Sequence, residues 1–397
     1  MRISVGAQGD VSMESLELPD ASHKPSADVA AMVREIARIG PKVPEVARNL
    51  GRHKETVRYW YKKLEENDFA VTGMLNHEAL GLRRVILKVQ FGTDYSDYVK
   101  SMMFAMNELC YVVSYAKTLP EDVYVVNASV PRELVDEFVD FAQALKEQGV
   151  FTSLEYFLFD WVRNKPMEGQ FYDFDTGHWE FDISSLMKGE RPYNEPAISS
   201  KTKFDRIDLL LAKELQIDAT RELQEIQAAI KESDGVDINY KTLCWHLKEH
   251  VEGNHLLKGY RINWMGTRWD PVTDRARHRS HSYVGAHLLI KNPTADEKLR
   301  TLKIMDRLPI LWAEAAGIDY FAELSIPSEM LIETLLLLQN VMGAVGNKAT
   351  FHIVDQRNSA AFTIPYKLYD EDSRKWIFSK DDLLARFKVL EAQIRNL

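Results

Sequence analysis

Residues 171–182 read FYDFDTGHWEFD, and residues 367–382 read KLYDEDSRKWIFSKDD. Tyr172, Trp179 and Phe181 match Tyr369, Trp376 and Phe378 at a constant offset of 197. The offset holds at separated landmarks: Pro131 and Pro327 differ by 196, Gly149 and Gly346 by 197, Leu186 and Leu383 by 197. A fixed period over such distances is the signature of an internal duplication. The chain therefore reads as two copies of one unit, joined by KGERPYNEPAISSKT, whose Pro, Ser and charge suit a linker. The two Trp-bearing hairpins are expected to cover a sheet face or a pocket, packing rather than touching a ligand.

Within each copy the pattern repeats. RRVILKVQF, VVSYAKTL, DVYVVNASV and SLEYFLFDW read as strands, and DYSDYVKSMMFAMNELC and RELVDEFVDFAQALKEQG as helices. The second copy gives YVGAHLLIK, EKLRTLKIMDR, PILWAEAA, IDYFAELSI, SEMLIETLLLLQNVMGAVG and TFHIVDQ in the same order. This βαββαβ series is the ferredoxin-like arrangement, an antiparallel sheet covered by helices.

Ahead of the first sheet, residues 44–67 read PEVARNLGRHKETVRYWYKKLEEN. Ala47, Gly51, Val57 and Trp60 have helix-turn-helix spacing: a small residue at the helix contact, a glycine in the turn, apolar residues sealing the second helix. Nine Lys/Arg against three Glu between Val33 and Lys63 give that stretch a net of +6, on a chain of net −9. Arg48, Arg52, His53, Lys54, Thr56, Arg58 and Lys62 are expected to reach a DNA major groove. Phe69, Val71, Met74 and Leu75 then fit a wing. In the second copy Asn239, Lys241, Thr242 and His246 take the same role, with Cys244, Leu247 and Val251 facing inward. The insertion RWDPVTDRARHRSH, residues 268–281, adds Arg275, Arg277 and Arg279, suited to a phosphate backbone.

The expected fold is α+β, a tandem repeat of a winged helix-turn-helix followed by a ferredoxin-like sheet domain. Its boundaries are a polar tail (1–26), a winged helix-turn-helix (27–80), a sheet domain with Trp hairpin (81–190) and a linker (191–203). A second winged helix-turn-helix (204–268), a basic loop (269–282) and a second sheet domain with Trp hairpin and helix (283–397) follow.

This plan resembles the Lrp/AsnC (feast/famine) regulators of bacteria and archaea. The likeness rests on the Ala47–Gly51–Val57–Trp60 spacing, the run Leu64-Glu65-Glu66-Asn67, and the turn bearing Gly317, Asp319 and Tyr320. It implies binding to double-stranded DNA, pairing of the sheets, and a small amino-acid-like effector near Gly317, Asp319 and Tyr320. The first copy has TLPEDVY in place of that turn. The fusion implies a pseudo-dimer within one chain, expected to assemble further into a homo-oligomer.

No apolar run of about 18 residues is evident, and the first residues lack a signal peptide's apolar centre, so a cytoplasmic, membrane-free protein is expected. Two cysteines exclude a disulfide framework and a CxxC zinc site. No phosphate loop, nucleophile elbow or HExxH occurs. His246 and His250 have a ligand spacing with Cys244 and His255 nearby, but a metal also needs a matched third ligand, and no metal or cofactor is expected. The expected function is a transcription regulator, not an enzyme. Two alternatives stand beside it: an enzyme like the siroheme decarboxylases, which share this architecture but whose histidine-bearing motifs find no match here, and a protein-binding scaffold.

Overall fold

The computed structural model describes residues 27–66, 69–174, 178–189, 192–263, 267–270, 275–278 and 283–395. Three helices open it: α1 (Ala27–Ile39), α2 (Val43–Leu50) and α3 (Lys54–Glu66). Gly51 closes α2 at φ 62°, the left-handed region that glycine enters without a Cβ penalty. Val46, Ala47, Val57 and Leu64 are buried between these helices.

Strand β1 (Ala70–Leu75) leads to the first sheet series: β2 (Leu82–Phe91), α4 (Val99–Cys110), β3 (Val112–Leu119), β4 (Val123–Pro131), α5 (Val135–Glu147) and β5 (Phe151–Asn164). After the one-turn α6 (Ile183–Leu186) the plan restarts with α7 (Arg206–Ile217), α8 (Leu223–Asp234) and α9 (Tyr240–Trp245). A π-helical segment, His246–Glu252, continues α9. Then come β6 (Leu257–Asn263), a hairpin of β7 (Thr267–Asp270) and β8 (Arg275–His278), β9 (Tyr283–Ile290), α10 (Ala295–Met305), β10 (Leu311–Gly317) and β11 (Tyr320–Pro327). The chain finishes with α11 (Leu331–Val345), β12 (Ala349–Ala361), a short hairpin of β13 (Tyr369–Asp370) and β14 (Lys375–Trp376), and α12 (Lys380–Arg395).

The two sheet series do not remain separate. Their strands close into one antiparallel barrel in the order β10-β11-β9-β12-β3-β4-β2-β5, with β5 pairing back to β10. Two of the eight seams, β5–β10 and β12–β3, join one copy to the other. Closure removes the unpaired sheet edges that would otherwise recruit another chain. The α+β class is as expected, and the pairing of sheets occurs inside one chain.

The wings are a correction. β1 and β6 pair with each other, Val71 opposite Ile262 and Gly73 opposite Tyr260, so each copy's strand is completed by the other's. Val71, Met74, Tyr260 and Ile262 are buried in this shared ribbon.

The Trp hairpins pack, as expected. Trp179 and Trp376 are buried, and the Trp376 indole Nε1 donates to Leu80 O at 2.9 Å. The second hairpin reaches across to the first copy, where Phe378 packs against Tyr111, Phe138 and Phe141. The first hairpin's Phe181 and Met187 pack in return against the second copy's core. One segment departs from the reading of apolar runs: Ser328–Lys348, 21 residues at mean hydropathy 1.2, is long and apolar enough to cross a membrane by length and composition. Here it contains α11, which buries Leu338, Val341 and Val345 in the second copy's core.

Candidate functional site at the barrel mouth

The barrel interior can be read from its pairing. Ile86, Val125, Phe157, Phe159, Leu289, Ala315 and Phe321 form one buried cluster drawn from six strands. Side chains alternate along a strand, so Arg84, Glu323 and His287, each two residues from a member of that cluster, share its inner face. At one end β2, β3, β9 and β10 begin while β4, β5, β11 and β12 finish. This mouth lies under the β1–β6 ribbon, and the basic loop leaves β6 and enters β9 there.

Charged groups converge on the mouth. Arg84 comes from β2, Arg261 from β6 and Glu323 from β11, and the turn after β1 supplies His77 and Glu78. The Arg261 guanidinium lies 4.2 Å from the Trp312 ring centroid and donates to Asn164 Oδ1. Lys258 Nζ stands 2.6 Å from Glu78 Oε2, and Glu78 Oε1 accepts from Val162 N at 2.9 Å. Burial lowers both Arg84 and Arg261 to about 10, against the opposing pull of Glu323. Burial also raises the Glu323 carboxyl, although Arg261 and Arg84 hold it down.

His77 fixes a tautomer. Arg84 Nη2 is 3.3 Å from His77 Nε2, and a guanidinium only donates, so Nε2 accepts and Nδ1 carries the proton. Burial, then Arg84 and Lys258, holds the imidazole well below its ordinary pKa and hence neutral. Among the described residues, His77 Nδ1, Arg84 Nε, Arg261 Nε and Ser129 Oγ are buried with no hydrogen-bond partner. Buried donors are normally satisfied, so four such atoms at one mouth suit a polar ligand or ordered water. The arrangement can grip carboxylates and offer a proton from a neutral N–H.

The anticipated DNA contacts are divided. Arg48, Arg52, His53, Lys54, Thr56, Arg58 and Lys62 are all exposed on α2, α3 and the turn between them. Arg52 pairs with Asp28 at 2.8 Å and Arg58 with Glu55 at 2.6 Å. Asn239, Lys241 and Thr242 are exposed at the start of α9, where Asn239 caps the helix by accepting from Lys241 N. His246 is a correction: it is buried, with Nδ1 2.9 Å from Asp208 Oδ1. The π-helical turn changes which residues face inward, so Leu243, His246 and Val251 are buried while Cys244 is only partly so. Arg275 and Arg277 lie on β8, and Arg279 falls outside the described residues.

The anticipated effector turn is filled by protein. Asp319 is fully buried, accepting from Leu158 N at 2.8 Å, Asn292 N at 3.0 Å and Lys291 Nζ at 3.2 Å. The Tyr320 hydroxyl donates to Glu314 Oε2. A Cβ on Gly317 would stand 2.6 Å from Asp160 N, so glycine there admits β5 rather than a ligand.

The mouth residues went unnoticed in the sequence because they come from four separate segments. The available signal was a charge inside an apolar strand run: Arg84 before VILKV, Glu323 within FAELSI, His287 within AHLL.

No known family's sequence profile matches the chain, and no curated protein does either. Among solved structures, the siroheme decarboxylase NirDL is similar over 91% of this chain and 99% of its own, at 11% identity and a TM-score of 0.50. The same enzyme in complex with an iron-uroporphyrin III analogue matches at 10% identity and 0.49, over 92% of this chain and 99% of its own. An AsnC family transcriptional regulator from Agrobacterium tumefaciens is 14% identical, covers 33% of this chain and 87% of its own, and scores 0.26. The shared fold thus runs the length of an enzyme. That likeness overturns the expectation that the chain is not an enzyme.

Proposed function

We propose that this chain is a decarboxylase of the siroheme decarboxylase kind, taking a polycarboxylate tetrapyrrole at the barrel mouth. The observation that carries the reading is that the guanidinium Nε atoms of Arg84 and Arg261 have no partner among the described residues, at a mouth where Arg84 also holds a neutral, proton-bearing His77. The tandem winged-helix and ferredoxin-like plan is, on this reading, a scaffold that closes a barrel and roofs it with β1 and β6.

In the proposed step Arg261 and Arg84 fix substrate carboxylates by charge-assisted hydrogen bonds. Trp312, already against Arg261, offers an apolar face to the macrocycle. The carbon–carbon bond to one carboxylate breaks, carbon dioxide leaves, and the electron pair stays on the adjoining carbon. That carbon takes the proton from His77 Nδ1, and solvent restores the imidazole. Partial burial of the mouth favours the step, because a carboxylate loses charge more readily where water is scarce.

The test is turnover of siroheme by the purified chain under reducing conditions, followed by mass spectrometry for loss of carbon dioxide. Arg261→Gln should lower kcat/KM about 100-fold, the scale of one lost buried charge contact of roughly 3 kcal/mol. Absence of both tetrapyrrole binding and turnover in the wild type would overturn the reading.

A second activity is favoured by one observation, the exposed cationic face of α3. If α3 also meets DNA, replacing Arg52, Lys54 and Arg58 with alanine should weaken binding and reduce its salt slope by about three. Unchanged affinity and slope in the triple variant would exclude α3 as the contact.

A further inference from the structure

In the second copy's helical region, remote in sequence from the mouth residues His77 and Arg84, four side chains with metal-binding chemistry meet. Asp205 caps the N-terminus of α7, and Asp208 lies one turn in. His246 and His250 come from the π-helical turn that follows α9. One ligand atom from each of the four lies within 4.8 Å of the others. Both imidazoles present Nδ1 to the same carboxylate: His246 at 2.9 Å from Asp208 Oδ1, His250 at 3.0 Å from Asp208 Oδ2. His246 Nδ1 is also 3.6 Å from Asp205 Oδ1.

We infer that Asp205, Asp208, His246 and His250 form a binding site for a divalent first-row transition ion such as zinc. Three arguments carry this. First, donors about 2.0–2.2 Å from an ion stand roughly 3–3.5 Å from one another; three of the six separations, 2.9, 3.0 and 3.6 Å, lie about that range, and the whole set falls within 4.8 Å. Second, two imidazoles with two carboxylates favour zinc and its neighbours over magnesium or calcium, which take oxygen alone. Third, the backbone is built around the pair. In the π-helical turn His246 and His250 lie with ring centroids 4.9 Å apart, and π-bulges frequently sit at functional sites. A Cβ on Gly253 would stand 2.4 Å from Glu249 O, so the residue that ends this turn is held to glycine. Trp245, exposed to solvent at 52%, stands edge-on to both rings and shields one side. The ion would tie α9 to α7 and so fix the exposed start of α9. This role is independent of the decarboxylase reading.

The test uses the full chain, stripped with a chelator and then titrated with zinc and, separately, cobalt(II). Wild type should bind one equivalent, raise its Tm by several degrees at excess zinc, and give a cobalt visible spectrum of mixed nitrogen and oxygen ligation. Asp205→Asn keeps a competent helix cap, and His250→Gln replaces a partly exposed residue, so both should fold. Each should lose the Tm rise and the cobalt spectrum. A wild type without stoichiometric binding, or variants that bind as tightly as wild type, would overturn the site, the second outcome marking an adventitious ion only.

Discussion

The two helical regions follow one plan and spend their charge in opposite directions. In α2 and α3 of the first copy the charge faces water: Arg48, Arg52, Lys54, Arg58 and Lys62 are exposed, and the buried side is Val46, Ala47, Val57 and Leu64. In the second copy it turns inward. Asp208, Lys213, Glu214 and His246 are all buried, with Lys213 Nζ 2.8 Å from Glu214 and 2.5 Å from Asp234, and Glu214 also paired to Arg221 at 2.9 Å. The two regions thus share an order of helices, while the interior of the second is a polar network. Such networks raise the stakes of every member, since removing one leaves the rest desolvated and unmatched.

The sharpest way to break this contrast is at Lys213. Lys213→Ala should cost about 3–5 kcal/mol, read as a fall in denaturation midpoint, because Glu214 and Asp234 lose their buried partner. Lys62→Ala, on the exposed face of α3, should stay within about 0.5 kcal/mol. Equal costs would mean that the inward network carries no more weight than a solvated surface. The sheet turns extend the comparison. Asp319→Ala removes a buried acceptor of three hydrogen bonds and should cost about 2–4 kcal/mol. Asp122 in the corresponding first-copy turn is 59% exposed in its ion pair with Lys117, and its alanine variant should be nearly neutral.

The last effect is read as a pH slope rather than as a single stability difference. Burial, with His352 adding to it, pushes His287 down to about 3, so it stays neutral in the fold while the unfolded chain protonates near 6.5. The unfolded state then binds more protons. Stability attributable to His287 is complete above 6.5 and falls by up to about 1.4 kcal/mol per pH unit between 6.5 and 3. His287→Asn should flatten that part of the stability profile, and an unchanged slope would mean that another group sets it.

Much of the architecture was legible without coordinates. Offset landmarks pointed to a repeat, and period-two and helical spacings placed the strands and helices in the order that the structure has, β2-α4-β3-β4-α5-β5 and β9-α10-β10-β11-α11-β12. Strand partnership was not legible, because which edges meet depends on twist and closure rather than on any residue pattern. That is why β1 and β6 read as separate wings when they complete one another. The π-helical turn escaped for a related reason: counted back from Val251, α-helical spacing carries Leu247 and Cys244 inward, and the added residue of the π turn puts His246 and Leu243 there instead. At the mouth, Arg84, Glu323 and His287 each broke an apolar strand run, a local cue whose meaning appears only when distant strands are brought together.

The crossing of the second Trp hairpin onto the first copy has a consequence for biosynthesis. Tyr111 donates its hydroxyl proton to Ile377 O, and Leu80 O waits for the indole of Trp376, 296 residues later. At about 5–20 residues per second, the aromatic face of Tyr111, Phe138 and Phe141 stays bare on the ribosome for roughly 12–50 s until Phe378 is made. Nascent chains that stall before the second hairpin would expose that face uncovered, which makes the synthesis of residues 369–378 the point at which translation commits the first copy to its native form.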